Sequence, residues 1–119
     1  MAFHNELGKK GEDLATNFLL KKGFQILENN YRFLKAEVDI IAIKKDVLVA
    51  VEVKTRSTNF FEEPQDAVKP KKIKLMVSAI DYYVTQKELD VEVRFDIIAI
   101  VHQQNHTKIE HLEDAFLYF

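Results

Sequence analysis

The chain has no cysteine, and it has only three glycines and two prolines among its 119 residues. Without cysteine there is no disulfide framework, no thiolate zinc site and no cysteine nucleophile, which fits a reducing cytosol. No stretch approaches the roughly 18 uninterrupted apolar residues of a membrane span, and the opening MAFHNELGKKGEDLA lacks an apolar leader segment;. The expectation is a soluble, unexported, cytoplasmic protein with no membrane partner. Bulk positive charge is missing too: a net charge of −2 argues against a protein that coats nucleic acid through its overall field;. No repeat, low-complexity tract or linker interrupts residues 1–119, so a single domain around one core is expected;.

Charge is instead distributed unevenly. Residues 1–53 balance eight acids with eight bases, residues 54–80 carry +3, and residues 81–119 carry −5. The basic excess comes from Lys54, Arg56, Lys69, Lys71, Lys72 and Lys74. Taken alone, it also reads as the solvated start of a helix.

Leu7, Leu14, Ala15, Phe18 and Leu19 recur at helical spacing from Glu6 to Lys22, with Gly23 placed as a stop;. Phe24–Phe33 is strand-like, with Asn29-Asn30 as an irregularity. Glu37–Lys44 and Val47–Lys54 follow as a hairpin about Lys45-Asp46, so three strands form a meander;. Thr55–Lys69, which holds Pro64, reads as a loop. Pro70 then opens a helix with Ile73, Val77, Ile80 and Val84 on one face;. Val91–Val101 is a fourth strand, a short strand follows near Lys108–Leu112, and EDAFLYF is a turn or tail.

The hairpin places charges inside apolar runs, where a carboxylate without a partner is costly. Side chains alternate along a strand, so Glu52 and Lys54 share one face and Val49, Val51 and Val53 the other;. Pairing about Lys45-Asp46 sets Asp39 opposite Glu52, since both pairs of numbers sum to 91. Opposed like charges are unfavourable in a sheet, so something positive is expected between them. Mg²⁺ or Mn²⁺ is the natural candidate, because such ions take one or two carboxylates and keep waters and phosphate oxygens as further ligands. Lys54 would orient a water or neutralise a phosphate. The alternative is the polar face of an amphipathic hairpin, but VDIIAI and VAVEVK are apolar on both faces, as in strands covered on both sides;.

AEVDIIAI followed by LVAVEVKTR resembles the D…E-x-K core of restriction-endonuclease-like nucleases. With GEDLATNFLLKKGFQILENNYR before it and RFDIIAI after it, the chain is similar over residues 4 to 117 to the YraN-like bacterial family. The resemblance implies an α/β fold with a mixed central β-sheet flanked by helices, close to that of archaeal Holliday-junction resolvases. It also implies a metal-dependent endonuclease on DNA, branched or structured DNA in particular, and a homodimer. Carried over residue by residue, Asp39, Glu52 and Lys54 serve metal and water, and Glu12 assists the metal. Apart from the resemblance, the positive stretch beside that site offers Lys69, Lys71, Lys72 and Lys74 to a nucleic-acid backbone, and Arg56 either holds a phosphate or caps a loop;. The chain departs from the pattern at Ala36, where relatives have glycine, which raises the question of a positive φ before Glu37. The competing reading is a non-catalytic nucleic-acid-binding module that keeps the nuclease fold.

Other candidates have plainer readings. Arg94 and Asp96 share a strand face as a structural ion pair, and Tyr82 and Tyr83 are core and surface aromatics of the second helix. His102, His106 and His111 could suggest a metal cluster, but loop polarity explains the first two, and zinc sites need tighter ligand geometry than this spacing offers;.

Overall fold

Leu14, Ala15, Phe18 and Leu19 lie within helix α1, Ala2–Lys21, which begins four residues earlier than its apolar spacing predicts. The computed structural model describes residues 2–57, 68–103 and 105–116, the first six of these by backbone only. Helix α1 ends where Gly23 adopts φ 96°: the Gly23 N–H donates to Leu20 O and the Phe24 N–H to Leu19 O, the paired bonds of a Schellman cap;.

Strands β1 (Gln25–Phe33), β2 (Ala36–Lys44) and β3 (Val47–Ser57) follow as the expected meander. Helix α2 (Pro70–Gln86) then crosses to β4 (Glu92–Gln103), and β5 (His106–Leu112) is the last strand. The sheet order is β1-β2-β3-β4-β5. Neighbours are antiparallel except β3 and β4, which run parallel because α2 carries the chain back over the sheet;. β3 extends to Ser57, beyond its expected end at Lys54, because each added residue gains a partner on β4 out to Ser57↔His102. Most of the expected loop, including Pro64, lies outside the described residues.

Each helix covers one face. Ala15 and Leu19 of α1 pack on Ile40, Ala42, Val49, Val51, Ile98 and Ile100. Ile73, Met76 and Ile80 of α2 pack on Ile41, Leu48, Ala50, Phe95 and Ile97. The central strands are therefore buried on both sides, which is why their sequences are apolar with hardly a break.

The irregularities are local. β1 slips in register between Ile26 and Glu28, and Asn30 takes a left-handed φ of 54°. At the β1–β2 turn the left-handed residue is Leu34, with φ 56°, whereas Ala36 is the first residue of β2 and needs no positive φ. The missing glycine before Glu37 thus costs this turn nothing.

Gly11 lies close against β3: a Cβ there would overlap Thr55 Oγ1, while one at Gly8 would meet nothing within 4 Å. Gly8→Ala should raise the melting temperature through helix propensity, by about 0.5–1 kcal/mol. Gly11→Ala should lower it, because overpacking of about 1–3 kcal/mol outweighs the same gain. Thermal melts of the two single variants check the opposite signs.

Candidate functional site

The β2–β3 register is the expected one, with partner numbers summing to 91 from Lys44↔Val47 to Ile40↔Val51. It stops one step short of Asp39 and Glu52, so these residues are not a paired cross-strand couple. The reason is a competing bond: the Val53 N–H donates to Asp39 Oδ2 at 2.8 Å, so a side chain takes the donor that the ladder would otherwise use;. The alternation of faces breaks at the same place. Val38 packs in the α2-side core and Ile40, two residues on, in the α1-side core. Asp39 therefore sits at a fork in the sheet.

Glu52 keeps its place on the α2 side. It is 2% exposed, and its Oε2 lies 3.4 Å from Lys54 Nζ and 2.7 Å from Lys72 Nζ. Its Oε1 is buried without a hydrogen-bond partner among the described residues. Lys54 reaches the carboxylate along its own strand, two residues away, and Lys72 reaches it from the first turn of α2.

Asp39, 9% exposed, is held above its ordinary range, up to about 7. Burial is the largest cause, and the Glu52 charge adds to it. The Val53 N–H and Lys72 oppose the rise, and Glu12 adds a further negative charge;. The Glu52 charge thus resists the charged form of Asp39 on top of the larger cost of burying it;.

Among the described residues no three histidine, aspartate or glutamate side chains converge as a metal-ligand set. Glu12 does not close a triad with Asp39 and Glu52; it lines a separate cavity of about 520 Å³ with Gly8, Lys9, Asp13, Thr16, Asn29 and Asn30. What remains fits Mg²⁺ or Mn²⁺ chemically: two buried carboxylates, one with a bare oxygen, and an ion that takes one or two carboxylates and supplies its other ligands from water and substrate;.

The basic residues divide. Arg56 Nη1 donates to Thr55 O at 3.1 Å, near the end of β3. Lys69, Lys71, Lys72 and Lys74 lie at the start of α2, and of these only Lys72 reaches Glu52. Sequence spacing gave no sign of that contact, since it depends on how α2 lies over the sheet.

Asp96 is the third buried acid and belongs to a different network. Arg94 Nε and Nη2 donate to its two oxygens at 3.0 Å, His111 Nε2 lies 2.8 Å from Oδ2, and the Asp114 N–H donates to Oδ1 at 2.9 Å. Burial alone would raise this carboxyl, but the bonds from His111, Arg94 and the Asp114 N–H hold it below its ordinary range;. With Lys22 Nζ 2.8 Å from His111 Nδ1, the ammonium donates there and leaves Nε2–H to donate to Asp96;. Asp96 is thus a fully satisfied strut between β4 and the β5 end. The expected Arg94–Asp96 pair is present, and His111 is the member that sequence pattern missed. His102, by contrast, bonds Thr107.

A family model described as "Uncharacterised protein family UPF0102" matches residues 11–100, a span that includes the fork, both lysines on Glu52 and the start of α2. The UPF0102 protein of Christiangramia forsetii is 62% identical to this chain over 119 residues, covering 100% of each. That of Flavobacterium psychrophilum is 59% identical over 119 residues, again 100% of each. That of Parabacteroides distasonis is 45% identical over 116 residues, 98% of this chain and 96% of its own.

Proposed function

The chain belongs to the UPF0102 family, and from that premise we propose that it is a divalent-metal-dependent endonuclease with a restriction-endonuclease-like core, cleaving phosphodiester bonds of branched or structured DNA. The observation behind this reading is the fork, where two buried carboxyls, one with an oxygen that lacks a partner among the described residues, stand beside two lysines. A structural ion pair does not need a second carboxyl at its side, nor a bare buried oxygen.

Asp39 and Glu52 would hold Mg²⁺ or Mn²⁺. Such an ion polarises a phosphoryl oxygen and lowers the pKa of a bound water. The chain supplies the rest. The Val53 N–H fixes the orientation of Asp39. Lys54, 19% exposed and anchored in β3, presents an ammonium that can orient water or share charge building on phosphate oxygens;. Glu12 acts on Asp39 through its charge from α1. DNA, and branched DNA in particular, comes from the resemblance to resolvases rather than from the shape of the site.

The test is cleavage of a panel of linear, flapped and four-way DNA by purified wild type with Mg²⁺, Mn²⁺ or chelator. Product is expected only with metal, and most on branched substrates. Salt-dependent binding with no product on any substrate would instead identify a nucleic-acid-binding module that retains the fold.

A further inference from the structure

Lys72 touches two features at once. Its ammonium is 2.7 Å from Glu52 Oε2, and its side chain, 41% exposed, lines a cavity of about 350 Å³ between the β1–β2 turn and the start of α2. The cavity walls carry Lys35, Lys69, Lys71 and Lys72, over apolar Ala36, Leu75 and Met76. Glu37 is the one acid among the described lining residues, and its charge is already engaged by Arg32 Nη2 at 3.0 Å.

The start of α2 adds to this positive field. A helix N-terminus favours acids, yet the first turn of α2 has none, and its cap residue Lys69 makes no side-chain cap bond;. Lysines there repel both one another and the helix dipole, an arrangement that an anion in the cavity would relieve.

Lys54 and Lys72 differ in freedom. Both lie on one Glu52 oxygen, and a divalent ion placed on that carboxylate would repel both;. Lys54 is tethered to the same strand as Glu52 and mostly covered. Lys72, with the same flexible stem, is more exposed and has an open cavity beside it;.

We propose that Lys72 is a transferable cation: without metal it neutralises Glu52, and when a divalent ion takes Glu52 its ammonium turns into the lysine-lined cavity and there binds a backbone phosphate of a nucleic-acid strand. This rests on the metal-site reading above. Metal and strand binding are then coupled, and by linkage each strengthens the other.

Two measurements on the full chain test it. In wild type with ¹⁵N-labelled lysine, the Lys72 Nζ resonance, assigned by its loss in Lys72→Met, should shift on adding Mg²⁺ and shift again on adding a short single-stranded oligonucleotide. The salt dependence of oligonucleotide binding, read by fluorescence anisotropy, should steepen with saturating Mn²⁺ by about 0.7 in log–log slope for one more phosphate contact on a single strand. In Lys72→Met, shown to be folded by its melt, that increment should vanish. Calorimetric Mn²⁺ titration of both proteins separates the failures. Metal binding with an unmoved Lys72 resonance, or with the same slope change in both proteins, overturns the transfer and leaves the metal site standing. No metal binding in either protein overturns both.

Discussion

Without metal, the wild-type protein should lose stability as pH rises from about 4 to 7, and Asp39→Asn should lose much less. The sign follows from the direction of the Asp39 shift. Below pH 3.8 the folded and unfolded chains both hold the proton, and the shift has no effect on folding;. Between 3.8 and about 7 the unfolded chain has released it and the folded chain has not, so each pH unit lowers stability by about 1.36 kcal/mol;. Across the whole window the loss is on the order of 4 kcal/mol, and above pH 7 it stays in full;. Asp96 works in the opposite sense. Its carboxyl is depressed, so its contribution is present above 3.8 and is lost only as pH falls below that;. Its window therefore does not overlap that of Asp39.

Asp39→Asn keeps an oxygen for the Val53 N–H while removing the charge, so the difference between the two melting curves isolates Asp39. Glu52→Gln should act between them, because it removes the neighbouring charge and leaves the burial that is the larger cause. Excess Mn²⁺ at pH 8 should restore melting temperature to wild type and to neither variant, since an ion that binds only the folded state stabilises it by mass action. Melts from pH 4 to 8 with and without Mn²⁺ check this. A wild-type curve that is flat across the window, or a metal response equal in all three proteins, would remove the like-charge pair from the argument.

The part of this site that was legible in the sequence is the part fixed by short-range rules. Period-two alternation put Glu52 and Lys54 on one face. The Lys45-Asp46 turn set the β2–β3 register, and the doubly apolar runs announced strands covered on both sides;. The same rules failed at Asp39, because a side chain that captures a backbone donor breaks the alternation without leaving a composition signal;. Lys72 was read as a surface phosphate contact because its spacing on α2 says nothing of where that helix crosses the sheet. The parallel pairing of β3 with β4 was anticipated only through the mixed sheet that the resemblance implies, since it joins residues more than 40 positions apart through α2. Glu12 shows a different limit. The resemblance sets it beside the metal as an assisting carboxylate, and in the fold it lines another cavity on α1 while its charge is felt at Asp39, a relation that helical spacing alone does not display.

Replacing Asp39, Glu52 or Lys54 with alanine should abolish metal-dependent cleavage while leaving DNA binding largely intact. Phosphodiester hydrolysis needs an aligned water and a cation to share the developing charge, and losing one positioned electrostatic group typically costs about 10²–10³ in rate. Binding draws on a different set. Lys35, Lys69 and Lys71 line the cavity beside the site without touching Glu52 in the described structure, so neutralising all three should weaken binding across sequences. Each lysine that meets a duplex phosphate contributes about 0.9 to the salt slope, so the triple variant should flatten it by roughly 2 to 3. Its cut position should not change, because the groups that face the scissile bond are untouched. Replacing Lys72, which bonds Glu52 and also lines the cavity, should lower both binding and turnover. Anisotropy titrations at several salt concentrations, run beside single-turnover cleavage with Mn²⁺, read all four outcomes. A contaminating nuclease would ignore every substitution. A binding module would respond to the lysine set and show no turnover to lose. Wild-type cleavage that survives in Asp39→Ala and Glu52→Ala would locate the chemistry elsewhere on the chain and end the case for the fork.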